Sequence, residues 1–262
     1  MGGTSFAVDG TPVIILNYHL LTDAAVRDPW TLTPAELDVH LNIVKPCLKR
    51  PDWFLQRVKD PAFQHDSSVL LTVDDGFRSD YELLYSQLMA QGRLPGFMSF
   101  VPTAFVGGEG RVTWDMVCEM DRNGVIIGSH GLNHLDLSKC SDAELRNELE
   151  TSKAVLEERL ARPVTHFAFP YGRFTKRVWD RALASGYTHL FTIQLGHHQG
   201  FESFLYSRLC IRADMDAGYM QRHIADPDQA RGNLWKLSNA LGLYRPSMRL
   251  RFGLLQDRLI RR

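Results

Sequence analysis

Residues 69–80 read VLLTVDDGFRSD, and they give the clearest indication of the architecture. A short apolar, β-branched run, typical of a buried strand, leads into two adjacent carboxylates, Asp74 and Asp75, and then Gly76. In parallel α/β proteins, residues just beyond the carboxyl end of a strand lie where ligands bind. Successive residues leaving a strand point in different directions, so one acid could hold a metal while the other moves a proton.

The same strand signal recurs on both sides of this segment. Short apolar runs predict seven strands in all, separated by helical patterns such as those at residues 81–91 and 142–160. Alternating strands and helices are typical of a parallel α/β sheet with right-handed crossovers. About seven units favour a closed or nearly closed barrel over an open doubly wound sheet. The predicted strands are residues 13–18, 69–73, 96–101, 125–129, 166–169, 190–193 and 206–211.

The pattern changes near residue 232, which predicts a barrel domain at residues 1–231 and a basic, helical C-terminal extension at residues 232–262. The last twenty residues hold six arginines and one aspartate. The extension could pack its leucines on the barrel as a solvated helix. Alternatively, it could make peripheral contact with an anionic membrane surface or a partner.

Composition narrows the classes of function. The chain has 262 residues, 44% of them hydrophobic, as in ordinary globular proteins. Thirty basic residues balance thirty acidic ones, which argues against nucleic-acid binding driven by bulk charge. The four cysteines are widely spaced, which favours reduced thiols over a disulfide framework. With no signal peptide evident we expect a cytoplasmic location, or a secreted or periplasmic one if a signal has been removed.

Several predicted strand ends carry polar groups that could converge: His19, Asp74 with Asp75, His130 with His134, and FPYG at residues 169–172. The two imidazoles of HGLNH lie about one helical turn apart. Two imidazoles and one carboxylate make a facial ligand set suited to zinc or a similar divalent ion. An H-x-x-x-H pattern alone is a weak indication of a metal site. It is stronger here because it follows a strand and lies downstream of a strand ending in D-D-G.

Three motifs occur in a set order: TVDDG at residues 72–76, SHGLNH at residues 129–134 and FAFPYG at residues 167–172. They resemble the first three motifs of the polysaccharide deacetylases, the NodB-homology domains of carbohydrate esterase family 4. The resemblance implies a distorted, TIM-like (β/α) barrel. It also implies metal-dependent removal of N-acetyl groups from an amino-sugar glycan or glycan precursor, or occasionally of O-acetyl groups.

The resemblance assigns roles position by position. Asp75, His130 and His134 become the metal ligands, for Zn²⁺ foremost and for Co²⁺, Ni²⁺ or Fe²⁺ as alternatives. Asp74 becomes the general base, in keeping with chemistry, because a divalent ion acidifies water while a nearby carboxylate takes the proton. The backbone N–H of Tyr171 would help to hold the tetrahedral oxyanion.

The chain departs from the family pattern in two places. Many members carry an arginine that pairs with the base where this chain has Ala168, and Arg208 could supply the missing guanidinium or form a surface salt bridge instead. The downstream L-x-H motif of the acid histidine is also missing, and His197 and His198 lie in a different context. The opening LNYHLLTD resembles the branch that deacetylates poly-N-acetylglucosamine, which makes His19 the general acid. Otherwise His19 is a buried histidine at a strand end.

Substrate contacts are predicted from aromatic groups in or near loops, which could stack on sugar faces. An O-acetyl esterase, a deformylase and a catalytically idle carbohydrate-binding relative are the alternative functions. The predicted substrate-binding residues are Trp30, Phe77, Trp114, Pro170 and Tyr171.

Overall fold

A computed structural model describes residues 13–24, 28–57, 68–193 and 205–223. The strands are β1 (Val13–Tyr18), β2 (Ser68–Asp74), β3 (Met98–Val101), β4 (Ile126–Ser129), β5 (His166–Ala168), β6 (His189–Thr192), β7 (Leu205–Ser207) and β8 (Leu209–Cys210). The α-helices are α1 (Pro34–Val44), α2 (Pro51–Arg57), α3 (Trp114–Arg122), α4 (Asp142–Arg146), α5 (Ser152–Leu160), α6 (Lys176–Ala184) and α7 (Ala217–His223).

All the strand pairs are parallel, and the order of the sheet is β7-β6-β5-β4-β3-β2-β1-β8. The two outermost strands are consecutive in the chain, with Arg208 alone between them. The N–H of Arg208 donates to the carbonyl of Thr192 on β6, and the N–H of Ile211 donates to that of Asn17 on β1, each over 2.8 Å. The final segment therefore pairs with both edges and nearly closes the predicted (β/α) barrel. The predicted seventh strand is split in two because it changes partner at Arg208.

Side chains fill the interior of the barrel, while helices cover its outer face. Every residue of β2 is buried, as expected for a parallel strand covered on both faces. Because the strands are parallel, their carboxyl ends meet at one end of the barrel, where the predicted site residues emerge. The interior apolar cluster contains Ile15, Leu55, Leu70, Met98, Phe100, Ala168 and Phe191.

Two predicted helices contain π-helical turns. Residues Asp80–Met89 have π-helical hydrogen bonding, and Asn147–Thr151 form a π turn between α4 and α5. The helix predicted at residues 142–160 is therefore present but widened in the middle. There the Ser152 hydroxyl donates to the Glu148 carbonyl over 2.6 Å. It thereby competes with the backbone N–H that would bind this carbonyl in a regular α-helix.

Some predictions lie outside the described residues: the C-terminal extension at residues 232–262, its boundary at residue 231, and His197 with His198. Within the described ranges, no helix is both long and apolar enough to span a membrane.

Candidate active site

The site is built around the turn that follows β2. Asp75 has a φ of 75° and Gly76 a φ of 61°, so the chain reverses sharply through two left-handed residues. The carbonyl of Asp75 accepts a hydrogen bond from Arg111 Nη1 over 2.7 Å, which helps to hold this uncommon conformation. The turn places the two acids in different surroundings. Asp74 is 2% exposed, whereas the side chain of Asp75 is 20% exposed.

Asp75, His130 and His134 come together as the predicted ligand set. Oδ1 of Asp75 lies 3.2 Å from Nε2 of His134 and 3.7 Å from Nε2 of His130. One ligand atom from each residue lies within 4.8 Å of the others. Oδ1 of Asp75 is buried and receives no hydrogen bond from the described residues. Three converging ligand atoms, one of them an otherwise unsatisfied carboxylate oxygen, fit a divalent cation.

The tautomer and charge of His130 suit a ligand. Its Nδ1 lies 2.8 Å from the carbonyl of Ala168, so Nδ1–H donates there and Nε2 keeps its lone pair toward Asp75. Burial lowers the pKa of His130 to about 4, against the opposing pull of the Asp74 carboxylate. The imidazole is therefore neutral near neutral pH, which is the form that binds metal.

Asp74 is held by a fully buried guanidinium. Arg208 donates from Nη1 to Oδ1 over 2.7 Å and from Nη2 to Oδ2 over 2.8 Å, and Asn17 Nδ2 donates to Oδ2 over 3.0 Å. Burial alone would raise the pKa of Asp74, but the Arg208 guanidinium holds that pKa well below its usual range. Asp74 is therefore an ionised carboxylate within the barrel.

Arg208 reaches Asp74 from the break between β7 and β8. Its Nη1 also donates to Asn17 Oδ1 over 2.9 Å and to Thr72 Oγ1 over 3.2 Å. Its guanidinium lies over the ring of Phe100, 5.1 Å from the centroid. At the position where many relatives carry an arginine, Ala168 packs in the apolar cluster that contains Phe100.

His19 follows β1, and its electrostatic effect is a minor cause of the lowered pKa of Asp74. Its Nδ1 is 3.9 Å from Sγ of Cys210, and its ring centroid is 6.0 Å from that of Trp30. Burial, reinforced by the Asp74 charge, raises the pKa of the Cys210 thiol to about 12. The thiol therefore stays protonated beside His19. Trp30 is exposed, with the guanidinium of Arg212 over its ring.

The predicted FPYG turn contacts the ligand set at His134. Tyr171 has a φ of 58° in the short 3₁₀ turn Pro170–Gly172, and its side chain is 54% exposed. The edge of its ring meets the ring of His134 at a centroid distance of 4.7 Å. Pro170 is buried, near Gly131 of the histidine loop.

The other predicted aromatic contacts differ in position. Phe77 follows the Asp75 turn, and the guanidinium of Arg111 lies 4.1 Å from its ring centroid. Trp114 instead packs on the outer helices, where the guanidinium of Arg159 on α5 lies 5.2 Å from its ring centroid. The structure therefore brings Phe77 to the edge of the site and leaves Trp114 with its neighbours on α5.

Three residues of the site were not identified from the sequence. Asn17 is a polar residue inside the apolar run VIILNY, which was an available signal. Arg111 gave no signal, because its role depends on the fold of the loop before α3. Glu148 accepts hydrogen bonds from the backbone N–H groups of Leu132 and Asn133, between the two histidines. It gave no signal either, since it resembles the other charged residues of its helix although it is 1% exposed.

The fold agrees with comparisons to known proteins. Residues 63–190, just under half of the chain, match the profile of the polysaccharide deacetylase family. The chain is 26% identical to the Bacillus subtilis (strain 168) protein YxkH over 139 residues, 53% of this chain and 48% of that protein. It is also 26% identical to a chitooligosaccharide deacetylase of Rhizobium leguminosarum bv. trifolii over 141 residues, 53% of this chain and 62% of the relative. The chain thus spans about half the length of the curated relatives it matches.

A solved structure shares the barrel. The Streptococcus pyogenes deacetylase PplD, solved in complex with acetate, has a TM-score of 0.69 and 22% sequence identity. The match covers 80% of this chain and 97% of PplD. At this identity the likeness establishes the fold, and the chemistry has to be argued from the residues of this chain.

Proposed function

We propose that this chain is a metal-dependent deacetylase that hydrolyses the N-acetyl group of an N-acetylhexosamine in a polysaccharide, oligosaccharide or glycan precursor. The observation that carries the proposal is the convergence of Asp75, His130 and His134 beside the guanidinium-bound Asp74. Hydrolysis of an amide needs an electrophilic centre and a separate base, and the two sets of groups provide both. Similarity to a chitooligosaccharide deacetylase supports an acetylated amino sugar as the substrate.

The three ligands would hold a divalent ion, Zn²⁺ foremost, which when bound supplies Lewis-acid chemistry to polarise the acetyl carbonyl and acidify water. Asp74 takes the proton of the attacking water. A carboxylate has about four lone-pair positions. Two receive N–H groups of Arg208 and a third receives Asn17, so one remains for that water. Because Arg208 keeps Asp74 ionised, the base is ready without a prior loss of its own proton.

Tyr171 and His19 supply the two remaining roles. Tyr171 offers its backbone N–H to the developing oxyanion from the left-handed turn beside His134. His19 donates a proton to the departing amine, supported by its electrostatic effect on Asp74. A histidine directly after the first strand in this role supports a relation to the branch that deacetylates poly-N-acetylglucosamine.

The test compares products from three substrates. Oligomers of N-acetylglucosamine should release acetate, while O-acetylated sugars and N-formyl sugars should react more slowly. The Asp74→Asn variant should release no acetate yet still bind metal. Faster release of acetate from the O-acetylated sugars would indicate an esterase instead. Faster release of formate from the N-formyl sugars would indicate a deformylase. Binding of the oligomers without any release would instead indicate an idle carbohydrate-binding relative.

A further inference from the structure

Glu148 is a buried carboxylate that contacts the loop between the two ligand histidines. Its Oε2 accepts hydrogen bonds from the backbone N–H groups of Leu132 and Asn133, each over 2.9 Å. Its Oε1 accepts from the side-chain amide of Asn133 over 2.8 Å and from its backbone N–H over 3.2 Å. In the described part of the chain, no lysine or arginine forms an ion pair with it. The charge of Glu148 is therefore balanced by N–H groups of this loop.

The loop is not helical, so helical hydrogen bonds do not hold its conformation. Gly131 has a φ of 82° and His134 a φ of 58°, so the H-x-x-x-H segment is not a helix. A Cβ at Gly131 would lie 2.9 Å from Oε2 of Glu148, which shows how closely the carboxylate approaches the backbone. From the other side, the carbonyls of Gly131 and Leu132 accept from the N–H groups of Thr103 and Ala104. Glu148 thus supplies one of the two sides that hold the loop.

The π turn gives Glu148 its position. Glu148 lies in Asn147–Thr151, where the Ser152 hydroxyl draws the Glu148 carbonyl out of regular α-helical bonding. Ser152 also accepts a hydrogen bond from the Ser129 hydroxyl over 2.9 Å, directly before His130. Such π turns are frequent at functional sites because they redirect a side chain. Here the redirected side chain faces the ligand loop.

We propose that Glu148 is a positioning residue of the metal site, which holds the loop so that His130 and His134 converge on Asp75. This inference rests on the proposed metal site. Without the carboxylate, the N–H groups of Leu132 and Asn133 would lose their acceptor, and the loop would relax toward other conformations. Relaxation would separate the Nε2 atoms of the two histidines and weaken metal binding before it unfolded the barrel.

The experiment compares Glu148→Gln with Glu150→Gln, a matched control in the same π turn. The Glu150 side chain is 49% exposed and contacts only the surface residue Arg181 among the described ion pairs. Affinity for Co²⁺ is measured by competition with a chelating dye, and ligand geometry is followed by the visible absorption of bound Co²⁺. Loss of such an outer partner typically weakens binding about 10–100-fold, which we expect for Glu148→Gln with an altered spectrum. Glu150→Gln should bind as the wild type does.

A second variant covers the case in which Glu148→Gln does not fold. Asn133→Ala removes only the side-chain bond to Oε1 at an exposed position, and we expect about a fivefold loss of Co²⁺ affinity, equivalent to one hydrogen bond. Wild-type affinity and spectrum in a folded Glu148→Gln variant, or in Asn133→Ala if the first variant does not fold, would overturn the role of Glu148. A wild-type protein that binds no Co²⁺ would instead overturn the metal site itself.

Discussion

Arg208 binds both carboxylate oxygens of Asp74 across 134 residues of sequence, through two hydrogen bonds of 2.7 and 2.8 Å. The pair is fully enclosed, because Arg208 is 0% and Asp74 2% exposed. The same residue forms the break between β7 and β8, where the sheet passes from one edge to the other. One residue therefore serves both features: its backbone lies where the barrel nearly closes, and its side chain keeps the proposed base ionised.

We expect Arg208→Met to reduce both stability and activity. Removal of one partner leaves a buried charge uncompensated, and such changes typically cost about 3–5 kcal/mol in the free energy of unfolding. Asp74 would then take up a proton and cease to act as a base. Urea denaturation and acetate release measure the two effects. Arg93→Met, which breaks the exposed pair with Asp38, is the matched control and should change stability by less than about 1 kcal/mol.

The double variant Asp74→Asn/Arg208→Met separates charge from packing. With both charges removed, much of the lost stability should return while activity stays absent. A double variant as unstable as Arg208→Met would show that the guanidinium acts by filling the barrel interior rather than by pairing with Asp74.

Removal of the metal should abolish activity without unfolding the protein. Dialysis against a chelator should stop acetate release, and Zn²⁺ or Co²⁺ should restore it, because the carbonyl is not polarised without the ion. Asp75→Ala should lose both metal and activity, whereas Asp136→Asn should keep both, since Asp136 pairs with Arg173 outside the ligand set. Undiminished turnover in demonstrably metal-free protein would contradict the site.

Local patterns in the sequence were sufficient for the parts of the site that lie close together in the chain. The buried run before Asp74 and the strand before His130 each predicted where a polar residue would emerge. The partner change at Arg208 could not be predicted in the same way. It depends on which strand edges remain open once the other strands have paired, and that is a property of the closed sheet. The π turn at Glu148 likewise reflects contacts from Ser129 and Ser152, which a helical pattern does not reveal.

Substitution of His19 and of His197 distinguishes the two candidates for the general acid. His19→Ala should lower turnover on N-acetylated oligomers by about 10²–10⁴-fold while the metal content stays near one per chain. An activated ester such as p-nitrophenyl acetate should be spared, because its leaving group departs without a proton. His197→Ala is the control and should behave as the wild type. A large loss from His197→Ala, with none from His19→Ala, would assign the acid to the LGHHQG segment instead.

Asp80 should make the stability of the metal-free protein depend on pH. Burial, reinforced by the charges of Asp75 and Asp74, raises the pKa of Asp80 well above its usual range, although Ser99 donates a hydrogen bond to it and Arg111 opposes the shift. The folded state thus keeps a proton that the unfolded state loses near pH 4. The stability that this proton provides is complete below about pH 4 and is lost as pH rises toward the folded-state pKa, with a slope of up to about 1.4 kcal/mol per pH unit.

Asp80→Asn removes this titration while keeping an acceptor for Ser99. Urea denaturation in the presence of a chelator, at several pH values above about 4, should show the variant gaining stability relative to the wild type as pH rises. Asp38→Asn changes an exposed aspartate and should give a profile parallel to that of the wild type. Parallel profiles for Asp80→Asn as well would mean that Asp80 is ionised in the folded protein. Asp74 and Asp75 would then have a further ionised carboxylate near them.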